Sequence, residues 1–261
     1  MASAPLGASL ETRCASYFVA KQDDRLGMTF LAVAVLVSYL LGSIPAAYLA
    51  GKSRGIDLRR HGSGNLGATN VIRVLGTRIG IAVFAFDMAK GAIPVLLFSR
   101  WVPPIPVPAS DAPTVVGIIC GIAAIIGHVR PIYLRFGRGG KGVATAAGVF
   151  LALAPIPTLL TLVIFAVVLL SSGYVSLGSL TSATMLPILL ALTRGVRSPL
   201  FVISVFVAAF VFWTHRANIV RLRNGEEHRF GKRGEQARRP AAVLAIGLVV
   251  VLALLIATRF S

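Results

Sequence analysis

Acidic side chains are scarce in this chain: 9 Asp and Glu stand against 26 Lys and Arg in 261 residues. Carboxylates so few and so scattered exclude the clustered-aspartate sites that hold catalytic metals in phosphoalcohol transferases, and no metal or other cofactor is expected. Cysteine is scarcer still. Cys14 and Cys120 form no C-x-x-C pair and no framework of spacings, which removes both a disulfide scaffold and a zinc site. Charge of either sign is low, at 13% against 56% hydrophobic residues, and the mean hydropathy is +0.82. That balance is too apolar for a soluble domain and reads as an all-α integral membrane protein. The net charge of +17 would suit nucleic acid if the cations formed one patch. They sit instead in short loops between apolar spans, so the expected partners are the lipid bilayer and phosphorylated substrates, with no nucleic acid.

Apolar runs at about 28–50, 76–98, 114–127, 143–153, 157–170, 180–192 and 199–213 predict a bundle of about seven transmembrane helices. Residues 1–27 lack an apolar core and read as a disordered tail; the first run is long enough to span, which argues against a cleaved leader. The membrane-embedded domain is placed at 28–237. Beyond it, 238–261 carries one further run, 241–257, read as an additional C-terminal helix. Gly42, Ser43 and Pro45 interrupt the first span, where a bend or a close helix approach is expected. Lys and Arg concentrate in 51–78, 128–141 and 214–239, while 100–113 holds only Arg100 against Asp111. The rich segments belong in the cytoplasm, which puts the N-terminus outside and brings the polar breaks of the chain to one membrane face.

Those breaks carry the chemistry. DLRRHGSGNLGATNVIRVLG, residues 57–76, combines Gly62, Gly64 and Gly67 with Ser63, Asn65, Thr69 and Asn70, and adds Arg73, a planar cation suited to a phosphate. Glycines there permit positive φ and let several N–H groups converge on an anion. A second island, GRGGKGVAT, surrounds Lys141 with Gly139, Gly140 and Gly142 and puts Thr145 on the helix that follows. It departs from the nucleotide-hydrolysing P-loop because Lys141 is followed by glycine. FDMAKG places Asp87 and Lys90 three residues apart on one helical face, either as an internal ion pair or as a wall of the site. SSGYVSLGSLTSA supplies Ser176 and Ser179, and the basic exit after the seventh span supplies His215, Arg216 and Asn218. A metal-free site of this kind suits two phosphates held together. A transporter or channel for organic phosphate anions is the alternative, although no repeated halves are visible.

At these residues the chain resembles the bacterial acyl-phosphate:glycerol-3-phosphate acyltransferase family. GSIPAAYLAGK, RRHGSGNLGATNVIRVLG, FDMAKG, GHVRPIYLRFGRGGKGVAT, SLGSLTSA and HRANIVRLRNGEE match in the family's order from about residue 28 to 233. The resemblance implies a seven-helix enzyme of the bacterial cytoplasmic (inner) membrane, its active site facing the cytoplasm. It implies transfer of an acyl chain from acyl phosphate to the sn-1 hydroxyl of glycerol 3-phosphate, without a metal and without an acyl-enzyme intermediate. By motif match Ser63, Arg73, Lys141, Ser179, His215 and Asn218 are the functional positions. The acyl phosphate is assigned to the Ser63 and Arg73 loop, and glycerol 3-phosphate to Lys141 and Ser179. His215 is the candidate general base, with Asn218 one turn away to fix the ring or the substrate. The N-terminal tail and the 241–257 run read as additions to the family core.

Overall fold

The computed structural model describes residues 10–101, 105 and 107–230, with side chains from Leu26 onward. The C-terminal run 241–257 lies outside the described residues. Among those residues there is no strand, and ten α-helices follow one another: α1 Leu10–Gly42, α2 Ala46–Lys52, α3 Ala68–Leu75, α4 Thr77–Phe98, α5 Ala112–Val129, α6 Val143–Leu153, α7 Pro155–Ser172, α8 Val175–Arg194, α9 Pro199–Thr214 and α10 Arg216–Arg223. The first helix therefore begins inside the segment read as a tail.

Among the described residues, five stretches are long and apolar enough to cross a membrane: 26–52, 77–98, 112–134, 155–172 and 175–194. A sixth is α9 joined to α10 across a 61° bend. The seventh expected span is the 11-residue α6, only about 16 Å long at 1.5 Å per residue. It is too short to cross alone, and α7 starts directly after it at Pro155, a residue suited to the first turn of a helix because its missing N–H costs nothing there. Large apolar side chains on the outside of the bundle, such as Leu36, Leu192 and Phe206 at 56%, 76% and 66% exposure, face lipid rather than water.

Close helix approach comes from glycine, as expected where apolar side chains gain nothing by leaving lipid. α4 and α6 interlock: a Cβ at Gly91 would strike the Thr145 carbonyl, and one at Gly148 would strike that of Met88. α1 and α5 do the same, with Gly42 against the backbone of Ala124 and Gly127 against Tyr39 and Ser43. Helix α1 stops at Gly42 and α2 starts after Pro45, so the interrupted span both breaks and packs closely. The carbonyl of Ile44 in that break accepts a hydrogen bond from Lys90 Nζ at 2.8 Å. α3 lies across the start of α4, and α8 packs between α7 and α9.

Candidate active site

The first glycine-rich loop is held from within. Asp57 begins a single turn of 3-10 helix, Leu58–Arg60, by accepting the Arg59 backbone N–H at 3.1 Å, and its carboxylate also pairs with the Arg59 guanidinium at 2.8 Å. The Arg59 side chain, then its backbone N–H, holds the Asp57 carboxyl at about 2. The buried Asn70 on α3 staples the far side: Oδ1 accepts the Ser63 N–H at 2.8 Å, while Nδ2 donates to the carbonyls of His61 and Leu58 at 3.1 and 3.3 Å. Gly62 and Gly64 adopt φ +62° and +68°, left-handed values that this tight path requires. Ser63 and Arg73 stay exposed on the rim, with Asn65, Gly67 and Thr69 half-buried behind them.

The second island is built differently. Gly139 and Gly140 are buried, Gly142 opens α6 at φ +83°, and Lys141 leans inward so that Nζ donates to Asn218 Oδ1 at 2.5 Å. Burial pushes Lys141 down to about 8; Glu227 opposes this, and the charges of Arg221 and Arg73 add to it. Asn218, one turn into α10, passes the contact on through Nδ2 to Glu227 Oε1 at 2.7 Å. Glu227 also accepts from Ser176 Oγ at 3.2 Å and from Arg221 Nε at 2.7 Å. Burial works to raise this carboxyl, but the hydrogen bonds from Asn218, Arg221 and Ser176 together with the Arg221 charge outweigh it and leave it below the usual carboxylate range.

His215 sits in the turn between α9 and α10, 3% exposed. Its Nδ1 lies 2.8 Å from the Val211 carbonyl, which can only accept, so Nδ1 carries the proton and Nε2 is a bare acceptor. Val211, not Asn218, orients the ring. Arg216 points away, its guanidinium 5.1 Å from the Trp213 ring centre on the exposed side.

Lys141, Ser176, His215 and Asn218 thus meet at one end of the bundle, with Arg73 close enough to feel the charges of Glu227 and Arg221. Asp87 and Lys90 do not join them. They are 2% and 5% exposed and pair inside the bundle at 2.8 Å. Thr145 is buried on α6 against Gly91. Ser179 returns its hydroxyl to the Val175 carbonyl of its own helix at 3.0 Å and faces a cavity. Glu227 and Arg221 were missed by motif reasoning; an acid just after Gly225, which turns the chain at φ +72°, was their one signal.

The cavity, with an empty volume of about 650 Å³ including its open mouth, lies between α4, α6, α7, α8 and α9. Val143, Ser179 and Val211 border it at the end nearest Lys141 and His215, and Phe150, Thr158, Leu186 and Ser204 at the deeper end. Hydroxyls in its wall are turned onto backbone carbonyls: Thr158 to Ala154, Thr161 to Thr158, Ser182 to Thr161 and Ser204 to Phe201. Its inner surface is consequently apolar.

Fold and site together define a multi-pass membrane protein with a polar, lysine-bearing centre at one end of a greasy pocket. A family model described as glycerol-3-phosphate acyltransferase matches residues 32–225, and the chain belongs to that family, membrane acyltransferases of phospholipid synthesis. It is 46% identical to a glycerol-3-phosphate acyltransferase of Geotalea daltonii over 78% of this chain and 99% of that one, and 42% identical to one of Salinibacter ruber over 77% and 92%. A crystal structure of PlsY (YgiH), an integral membrane glycerol 3-phosphate acyltransferase, in its glycerol 3-phosphate form, is similar with a TM-score of 0.70. That protein is 38% identical, and the match covers 77% of this chain and 96% of it. Its lysophosphatidic acid form gives 0.67.

Proposed function

We propose that the chain acylates the sn-1 hydroxyl of glycerol 3-phosphate with acyl phosphate as donor, releasing lysophosphatidic acid and phosphate without a metal or a covalent acyl-enzyme. The observation that carries this reading is the junction of the apolar cavity with the Lys141, Asn218 and His215 centre: a tail in lipid and a phosphate in water meet at one point. Acyl phosphate is a mixed anhydride with a good leaving group, so orientation and charge stabilisation suffice. The glycerol oxygen attacks the acyl carbon, the carbon–oxygen bond to phosphate breaks, and the hydroxyl proton ends on the departing phosphate. Lys141, with Ser179 at the near end of the cavity, holds glycerol 3-phosphate, and Arg73, with Ser63, holds the acyl phosphate. His215, a neutral ring with a bare Nε2, accepts the hydrogen bond of the attacking hydroxyl and aligns it. The departing phosphate is itself a competent acceptor for that proton, so the ring need not remove it.

The cations of the site face favour, by the positive-inside rule, a site in the cytoplasm with the N-terminus on the other side of a bacterial inner membrane. The test is phosphate release by purified protein in lipid: rapid with acyl phosphate and glycerol 3-phosphate together, absent with either alone, and unaffected by chelator. Turnover with acyl thioesters instead, or loss in chelator restored by a divalent metal, would overturn it. His215→Gln should retain more of kcat than His215→Ala, because the amide oxygen still accepts a hydrogen bond; equal inactivity in both, with loss of an acidic limb, would make His215 the base.

A further inference from the structure

A second buried polar group lies outside the centre just described. Lys90 Nζ is 2.8 Å from Asp87 Oδ1, and His128 Nδ1, at the end of α5, approaches the same oxygen at 3.5 Å. All three residues are 6% exposed or less. The Lys90 contact is close enough for an ion pair but out of line for a hydrogen bond, and Asp87 Oδ1 and His128 Nδ1 are among the few buried side-chain atoms of the described residues that make none. An interior charge pair with a ring against it is costly, and so costly a placement calls for a function.

The other edge of the ring supplies one. A Cβ built on Gly140 would strike Nε2, Cε1 and Cδ2 of His128, and one on Gly139 would strike the His128 carbonyl. The Gly139 N–H bonds to the Val129 carbonyl at 3.0 Å and the Gly140 N–H to that of His128 at 3.3 Å. The second glycine-rich segment is therefore laid directly on the end of α5, with the imidazole as its floor and Asp87 behind the imidazole. Lys141 is the next residue. Neither Gly139 nor Gly140 has positive φ, so backbone conformation does not demand glycine there.

We propose that His128, backed by Asp87 and Lys90, is a positioning residue that sets the height of the 139–141 backbone and so the reach of Lys141. Gly140 is glycine to admit the ring beneath it, not to admit a phosphate above it. The proposal rests on Lys141 as a phosphate-binding cation. It does not depend on which acyl donor is used.

The experiment is a double-mutant cycle of Gly140→Ala and His128→Ala in the full-length protein in lipid, reading KM for glycerol 3-phosphate, kcat, and the thermal midpoint without substrate. Gly140→Ala alone should raise KM about tenfold, with a smaller change in kcat. In the His128→Ala background, where the methyl group finds the space left by the ring, the same change should cost less than about twofold, a coupling of the size seen between residues in contact. The midpoints should show the same non-additivity. An equal penalty in both backgrounds, or a harmless Gly140→Ala in the parent, overturns the proposal. If His128→Ala does not accumulate, His128→Asn, which also removes the ring, takes its place. Failure of the proposed reaction would instead appear as absent turnover in the unmutated protein, while the midpoints would still report on the ring.

Discussion

The two glycine-rich loops look alike in composition and are opposite in construction. The first, 57–76, is exposed and self-supporting: Asn70 ties its turns, Asp57 and Arg59 pair at its surface, and Gly62 and Gly64 take left-handed φ. The second, around 137–142, leans on its surroundings. Its glycines at 139 and 140 are buried on His128, and the left-handed values nearby fall on Arg135, Phe136 and Gly142. Glycine serves chain direction in one loop and space in the other. The cations follow suit, with Arg73 out on the rim and Lys141 drawn in to Asn218.

That contrast can be broken by measurement. The largest effect should come from Lys141→Ala, which removes a buried charge and leaves Asn218 Oδ1 without its donor: kcat/KM should fall about a hundredfold or more, since hydrogen bonds to charged groups contribute about 1.5–3 kcal/mol each. A loss no greater than that of Arg73→Ala would erase the distinction between inner and outer cation. Arg73→Lys should cost about tenfold, because lysine keeps the charge and loses the fork; full activity would mean that only the local field matters. Gly64→Val forces a β-branched residue to φ +68° and should destabilise the first loop by about 1–2 kcal/mol, read as a lowered thermal midpoint and a raised KM. An unchanged midpoint would show that the loop's path tolerates a side chain.

The contrast also has a pH signature. Lys141, pushed down to about 8, binds phosphate in its charged form, so kcat/KM should decline as pH rises through that value. Lys141→Arg keeps its charge above pH 12 and should remove that alkaline limb, even at reduced activity; a limb that stays in place belongs to another group. The smallest effect is expected for Asp57→Asn, whose partner Arg59 is solvent-exposed: a change within error in turnover, shrinking further in high salt.

Much of this architecture was legible because lipid imposes strong rules. Apolar runs gave the spans to within a few residues, and their polar interruptions marked the loops, since backbone without helix is tolerated only where it is buried in protein or wet. The shortness of α6 was written in the prolines at 155 and 157. What escaped was contact at long separation. The acid after Gly225 does not by itself say that Glu227 would reach Ser176, 51 residues earlier in the chain. The Asp87 and Lys90 pairing followed from their i, i+3 spacing, but its placement beneath Gly140 by way of His128 depends on how α4 meets α5.

The Lys90 contact to the Ile44 carbonyl also bears on how the chain is assembled. The break between α1 and α2 leaves backbone oxygens that a lone first span cannot satisfy in hydrocarbon, and the donor that meets one of them lies 46 residues further on. Lys90, though paired with Asp87 on its own helix, still has a donor that a lone α4 would carry into lipid without the Ile44 carbonyl. Each helix supplies what the other lacks, so the first span and α4 are expected to settle in the bilayer as a pair, with the intervening 57–76 loop closed over them before the later helices arrive.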